Sequence, residues 1–335
     1  MSKNFKPAYR KQKMVMSTSV KVIIILLCVL VVTLLAFLIK IILSKALDPN
    51  IVYPPDSIAE TYAADPRTEA TEAVTDPEEQ GIKVRAIDKT KFDTKTGSLV
   101  LVNKDTAYTL PQSVSLVNLY DSLHDNFSLA SASEELAKDA YDALCKMCSA
   151  YAERTGYCPI MVTSGYRNEE QQQAFYDNYV VNPSDKEYVE LPGYSDHHTG
   201  LGFDMKLYEK DGSSYSYGRY ATERASWLVE NHKYYGFIMR YPANKGSFTG
   251  IEGESNHFRY VGVPHSVYIT ENNICLEEYL TLIKNYTYSD PLYITAENDE
   301  YCVWYCGGNN VYVPKNEEYS VSGDNLGGFI VTVKL

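Results

Sequence analysis

Two of the six histidines in this 335-residue chain stand near acids at spacings that could hold a metal ion. His197 lies in the segment PGYSDHHTGLGFDMK, seven positions before Asp204. A ligand on a loop, a turn through Gly200 and Gly202, and a second ligand on the ensuing strand would account for that spacing. His257 follows Glu254 by three positions in GESNHFRY. Metal-assisted hydrolysis of an amide needs three protein ligands, an open coordination position and a base beside the attacking water. His197, Asp204 and His257 could supply the ligands and Glu254 the base. Pairs of His and acid are common, so spacing alone points to this chemistry without establishing it.

Other elements must carry these two segments to one place. Residues 98–103, SLVLVN, read as a strand, and 159–163 as a second. Leu136, Ala140, Leu144 and Met147 recur at helical spacing within 131–154, and Gly156 follows as a residue suited to end a helix. Asn168 is placed to cap a helix through Tyr179. Residues 200–207 read as the strand carrying Asp204, 222–235 as a helix closed by Gly236, 237–241 and 257–261 as strands, and 276–285 as a last helix. Helices first and strands clustered later predict an α+β fold: a small antiparallel sheet with flanking helices around a single metal site.

Lys3, Lys6, Arg10, Lys11, Lys13 and Lys21 precede 22–39, VIIILLCVLVVTLLAFLI, which holds no charge. Roughly 20 such residues span a bilayer core. The basic flank places the amino terminus in the cytoplasm and the remainder outside, as a single-pass cell-membrane protein. The run is longer than a signal-peptide core, and no small-x-small site follows it, which favours an uncleaved anchor. The expected partition is a cytoplasmic tail over 1–21, a transmembrane helix over 22–43, an acidic Pro/Thr-rich linker over 44–97, a catalytic body over 98–285 and a small β appendage over 286–335. In the appendage YCVWY, VYV and FIVTV read as strands, and Gly307-Gly308-Asn309-Asn310 as a hairpin turn.

The formal net charge of −12 speaks against nucleic acid as a partner. Tyrosine is abundant, 30 against 10 Phe and 2 Trp, a ring type that suits carbohydrate or peptide clefts. Six cysteines lie beyond the apolar run, and an external compartment predicts a disulfide between Cys302 and Cys306 or among Cys145, Cys148 and Cys158. His124, His232 and His265 read as surface or hydrogen-bonded residues, and Trp227, Tyr234 and Tyr235 as packing residues. Nothing in the sequence speaks to oligomeric state.

Four segments occur in one order: SGYR at 164–167, PGYSDHHTGLGFD at 192–204, WLVENHKYYGFIMRYP at 227–242 and ESNHFRYVG at 254–262. Together they resemble the VanY-type zinc D-alanyl-D-alanine carboxypeptidases of bacterial cell walls, relatives of the LD-carboxypeptidases, over roughly residues 98–285. The resemblance implies one Zn2+ per chain held by His197, Asp204 and His257, Glu254 as catalytic base, and Arg167 on the substrate carbonyl or carboxylate. Gln171 and Ser195 join Arg167 as candidates for binding the terminal carboxylate. It implies trimming of the terminal D-Ala from peptidoglycan stem peptides. LD-carboxypeptidase or endopeptidase action, a non-catalytic wall-binding protein, and a tethered receptor acting through its appendage stay open as alternatives. Three positions depart from the family pattern: His198 for Gln, Asn256 for Trp and Asp196 for Glu. On an extended segment His197 and His198 would point to opposite sides, which favours His197 as the ligand.

Overall fold

The computed structural model describes residues 82–122, 127–181, 188–208, 214–215 and 223–335. The expected membrane span, the linker as far as residue 81 and His124 lie outside the described residues. Among the described residues no helix is long and apolar enough to cross a membrane.

The chain opens with β1 (Val84–Asp88), then β2 (Leu116–Asn118), β3 (Ser128–Leu129) and β4 (Glu135–Ala137). Helix α1 (Lys138–Thr155) buries Ala140, Ala143, Leu144, Met147, Cys148 and Tyr151 on one face, the i, i+3, i+4 stripe of an amphipathic helix. It starts later than expected because Glu135–Ala137 pairs with β2 instead. It ends on Gly156 at φ 86°, whose N–H returns to the Ala152 carbonyl. Then come β5 (Ile160–Ser164), α2 (Glu169–Val181), β6 (Gly202–Tyr208), β7 (Ser214–Tyr215), α3 (Glu223–Asn231), β8 (Phe237–Tyr241), α4 (Gly246–Thr249), β9 (Glu254–Tyr260), α5 (His265–Glu271) and α6 (Leu276–Ile283).

The central sheet runs β3-β5-β6-β9-β8, with β7 added beside β6. Only the β3–β5 pair is parallel. Strand β9 begins at Glu254 rather than 257, so the expected base and ligand share one strand. Phe203, Met205 and Leu207 of β6 and Phe258 of β9 enter the core beneath α1. Strand alternation therefore turns Asp204 and His257 to the opposite face.

Residues 98–103, expected as a strand, are irregular. Residues 99–103 are buried, and side chains rather than a continuous strand ladder take up most of the segment's carbonyls. Arg259 Nη2 donates to the carbonyls of Ser98 (3.1 Å) and Val100 (2.6 Å), and Arg240 Nη2 donates to that of Val102 (3.1 Å).

The carboxyl-terminal strands β10 (Leu292–Ala296), β11 (Asp299–Cys306), β12 (Asn310–Pro314), β13 (Tyr319–Gly323) and β14 (Phe329–Lys334) are not a separate appendage. Leu292, Ile294, Val303 and Ile330 share one buried cluster with Leu99, Ile238, Val261 and Leu276. The Gly307–Asn310 turn does not close a simple hairpin: β11 pairs with β10 and β14, while β12 leaves to pair with β1. Residues 84–88, expected within the linker, thus belong to the folded body. His265 joins its helix to α6 and β14, with Nδ1 2.6 Å from the Tyr279 hydroxyl and Nε2 3.0 Å from Thr332 Oγ1.

All six described cysteines are free thiols, contrary to the expected disulfide. Cys302 and Cys306 stand four residues apart on one strand, about 13 Å at 3.3 Å per residue, which is beyond disulfide reach.

Two outcomes follow from this packing. The four shared C-terminal side chains contribute about 1.5–3 kcal/mol each, comparable with the 5–15 kcal/mol stability of a whole domain. A chain ended after Asn285 is therefore expected to lose cooperative thermal unfolding, and a sharp transition in that truncation would contradict the shared core. Burial lowers the pKa of His265 from 6.5 to about 3. The unfolded chain then binds the extra proton, so this contribution is complete above pH 6.5 and is lost as pH falls toward 3. Urea unfolding between pH 7 and 5 should show that decline, reduced in His265→Gln.

Candidate metal centre

The register of the sheet builds the centre. Asp204 on β6 lies directly opposite His257 on β9, and on its other side opposite Ser164 at the end of β5. His197 arrives from a short 3-10 turn, Asp196–Thr199, that ends on Gly200 in the left-handed conformation at φ 67°. The ligand atoms of His197, Asp204 and His257 all lie within 4.8 Å of one another. His197 Nε2 is 3.2 Å from Asp204 Oδ2, and His257 Nδ1 is 2.9 Å from Asp204 Oδ1.

Hydrogen bonds on the far side of each imidazole decide which nitrogen faces the centre. His197 Nδ1 meets the Gly165 carbonyl at 2.7 Å. A carbonyl only accepts, so Nδ1 carries the proton and Nε2 is left with its lone pair inward. His257 Nε2 donates to Asp196 Oδ2 at 3.1 Å, which leaves Nδ1 inward. The Gly165 carbonyl is held in turn, because the Gly165 N–H donates to Glu134 Oε2 at 2.6 Å. Two imidazole nitrogens and one carboxylate, oriented by outer hydrogen bonds, form a donor set that fits a divalent transition metal with open positions.

Asp196 is wholly buried. Burial alone would raise its pKa, but Arg259, His257 and Arg240 outweigh it and hold the carboxyl far below the usual range. Arg259 Nη1 grips Oδ1 in a close contact, and Arg240 Nε lies 3.4 Å from the same oxygen. Arg240 also makes a two-pronged pair with Glu277 at 2.7 and 2.9 Å. Burial lowers the pKa of His197, and Arg167 adds to that. Burial pulls His257 down too, but Asp196 and Asp204 prevail and hold it at about 10, so a metal must displace a proton from Nδ1.

Around the three ligands stand the other expected residues. Glu254 is half-buried; desolvation pushes its carboxyl up to about 7 against the pull of His257, while Asp204 and Glu190 add to the rise. Arg167 Nη2 is 3.6 Å from Asp204 Oδ2, and its buried Nε has no hydrogen-bond partner among the described residues. Ser195 is buried at the start of the 3-10 turn, with Oγ 3.4 Å from Glu190 Oε2. Gln171 is not in the pocket. Its exposed side chain closes a reciprocal cap with Asn168, each accepting the other's N–H at 2.8 Å. The adjacent Gln172 is the buried one: its Oε1 accepts from Arg167 Nη1 at 2.9 Å and its Nε2 donates to the Glu190 carbonyl at 2.7 Å.

His198 points away from the centre, but the segment is a 3-10 turn rather than the extended chain from which that was expected. It is buried and structural, accepting from the Gly193 N–H at 2.9 Å and donating to the Arg167 carbonyl at 2.6 Å. Asp196, Arg240, Arg259, Glu134, Gln172 and Glu190 carry no functional assignment in the sequence reading. Arg259 lies in the ESNHFRYVG segment, but buried partnership between distant segments leaves no local periodicity that would assign it a role.

A fold with two His and one Asp meeting at an antiparallel sheet, beside a half-buried Glu and an Arg, defines a metal-dependent hydrolase centre. A model of the VanY family, D-alanyl-D-alanine carboxypeptidase, matches residues 133–263. The D-alanyl-D-alanine carboxypeptidase of Enterococcus faecium is 33% identical over 245 residues, covering 71% of this chain and 75% of that protein. Putative carboxypeptidase YodJ of Bacillus subtilis is 35% identical over 190 residues, covering 56% of this chain and 68% of its own. The crystal structure of the vancomycin-resistance D,D-dipeptidase VanXYg with a D-Ala-D-Ala phosphinate analogue superposes with a TM-score of 0.63 at 29% identity, covering 76% of this chain and 99% of that one. The chain belongs to the VanY family of D-alanyl-D-alanine carboxypeptidases.

Gly202 offers a direct check on this geometry. A Cβ there would sit 2.4 Å from Asp196 Oδ2 and 2.8 Å from His257 Nε2, between the two groups that orient each other. Gly202→Ala should weaken zinc binding about 10- to 100-fold, read by competition with a chromophoric chelator. Unchanged affinity in the folded variant would refute the Asp196–His257 support.

Proposed function

We propose that this chain is a zinc-dependent D-alanyl-D-alanine carboxypeptidase that removes the terminal D-Ala from peptidoglycan stem peptides. The observation that carries the reading is the set of three inward ligand atoms with Glu254 and the Arg167 guanidinium beside them. His197 Nε2, Asp204 and His257 Nδ1 would hold one Zn2+. When bound, that ion supplies Lewis-acid polarisation of the scissile carbonyl and acidifies the attacking water.

The chain's own residues do the rest. Glu254, with its pKa raised to about 7, is matched to take a proton from water near neutral pH and to return it to the departing amine. Arg167 is aimed by three contacts: Gln172 Oε1, Asp204 and the ring of Phe175, 4.8 Å from its guanidinium carbon. So placed, the guanidinium can donate to the carbonyl oxygen as charge develops, or to the terminal carboxylate. Glu190 stands beside the buried Ser195, and its Oε1 also accepts from the Tyr241 hydroxyl at 2.9 Å.

The location is part of the same proposal. An uncharged run over 22–39 behind a basic flank supports a single-pass membrane anchor, with the catalytic body outside, where stem peptides are found.

Product masses from muropeptides ending in penta-, tetra- or tripeptides test the substrate. Loss of one D-Ala from the pentapeptide is expected, and attack on the tetrapeptide alone would instead establish LD-carboxypeptidase action. Glu254→Ala should lower kcat about 10²- to 10⁴-fold with zinc content intact. Gln172→Ala should lower kcat/KM on the order of 10²-fold through misplacement of Arg167, while Gln171→Ala should stay near wild type. Equal losses at 171 and 172 would contradict this arrangement.

A further inference from the structure

A second cleft lies on the far side of the sheet from the metal ligands. Along the regularly paired end of β9, Tyr260 shares the core side with Phe258 while His257 faces the other way. Tyr260 borders a groove of about 340 Å³ with Tyr234 and Tyr235 from the 3-10 turn His232–Tyr235, and with Asp139, Asp142 and Lys146 from one face of α1. That volume falls in the range of ligand-binding clefts.

The lining is neither an acidic cluster nor an apolar face. Its rings are held in place from behind: Tyr235 packs 6.0 Å from Trp227, Tyr260 stands edge-on to Phe237 at 5.6 Å, and the Lys233 ammonium sits 5.0 Å from the centre of the Tyr234 ring. The Tyr260 hydroxyl has no protein hydrogen bond among the described residues, although Asp139 and Asp142 both face it. Burial pushes this phenol up to about 12, with both carboxylates adding to the rise, so it remains a donor. Asp142 is met by Lys138, whereas Asp139 is exposed.

Ring faces beside carboxylates, a phenol and an ammonium are the complement of a sugar. Apolar C–H faces stack on aromatic rings, isolated ring and hydroxymethyl hydroxyls donate to carboxylates, and N-acetyl carbonyls accept from the ammonium and phenol. We propose that this groove binds the amino-sugar backbone of the wall polymer whose stem peptides the enzyme trims. The inference rests on the carboxypeptidase reading for the polymer's identity. Because the groove faces away from the ligands, the strand it holds is not the source of the peptide being cut. It keeps the enzyme on the polymer and raises the local concentration of neighbouring stem peptides.

The test is a calorimetric titration of the full chain, in detergent, with peptide-free chains of alternating N-acetylglucosamine and N-acetylmuramic acid. Saturable binding is expected, weakened about 10-fold or more in Tyr234→Ala and in Asp139→Asn, and retained in Tyr234→Phe. All three variants should cleave a free pentapeptide at the wild-type rate, which also shows that they are folded. On insoluble polymer Tyr234→Ala and Asp139→Asn should show a raised KM with unchanged kcat. A flat titration by a chain that still cuts free pentapeptide would overturn the groove assignment, as would unchanged affinity in both weakened variants. A chain that binds glycan but cuts no stem peptide would overturn the carboxypeptidase reading and leave the groove standing.

Discussion

Asp196 has no solvent exposure, and a buried carboxylate without partners costs several kcal/mol. Here it is met by Arg259, by Arg240 and by the Nε2–H of His257. The two guanidiniums reach further, to the carbonyls of 98, 100 and 102 and to Glu277 on α6. One network therefore orients the imidazole, holds an irregular segment in the core and ties a distant helix to the sheet. Removing Asp196 would leave Arg259 buried with no carboxylate opposite it among the described residues. The metal centre and the fold around it are thus stabilised by the same contacts.

Sheet register does the remaining positioning. Cross-strand pairing sets Asp204 against His257, so two ligands meet without a long loop having to be ordered for either. The third ligand comes from a tight turn whose Gly165 contact lies just past β5, next in the sheet to β6. Arg167 follows Gly165 by two residues, and α2 begins immediately after, bringing Gln172 back against the guanidinium. Rigid neighbours on adjacent strands explain how a small body can hold three metal-binding groups, a carboxylate and a guanidinium in one place.

Much of this was legible in the sequence. The periodicity of α1, the Gly-ended turns and the short apolar strands follow from local chemistry, and so do the two segments bearing His, Asp and Glu. What failed was long-range. Residues 98–103 look like a strand because they are apolar and β-branched, yet arginine side chains take up three of their carbonyls. The aromatic C-terminal strands look detachable because nothing local shows that Leu292 or Ile330 shares a core with Leu99. Gln171 and Gln172 cannot be separated by type, and only the phase of α2 buries one and exposes the other. The role of Asp196 depends on two arginines more than 40 residues away, which no motif spacing encodes.

The central claim is that His197, Asp204 and His257 alone supply the protein ligands of one zinc ion. X-ray absorption at the zinc edge of the purified full chain tests it most directly. The account predicts one zinc per chain with two imidazoles and only nitrogen or oxygen neighbours, at about 2.0–2.2 Å. A sulfur shell near about 2.3 Å, or scattering from fewer than two imidazoles, would contradict it.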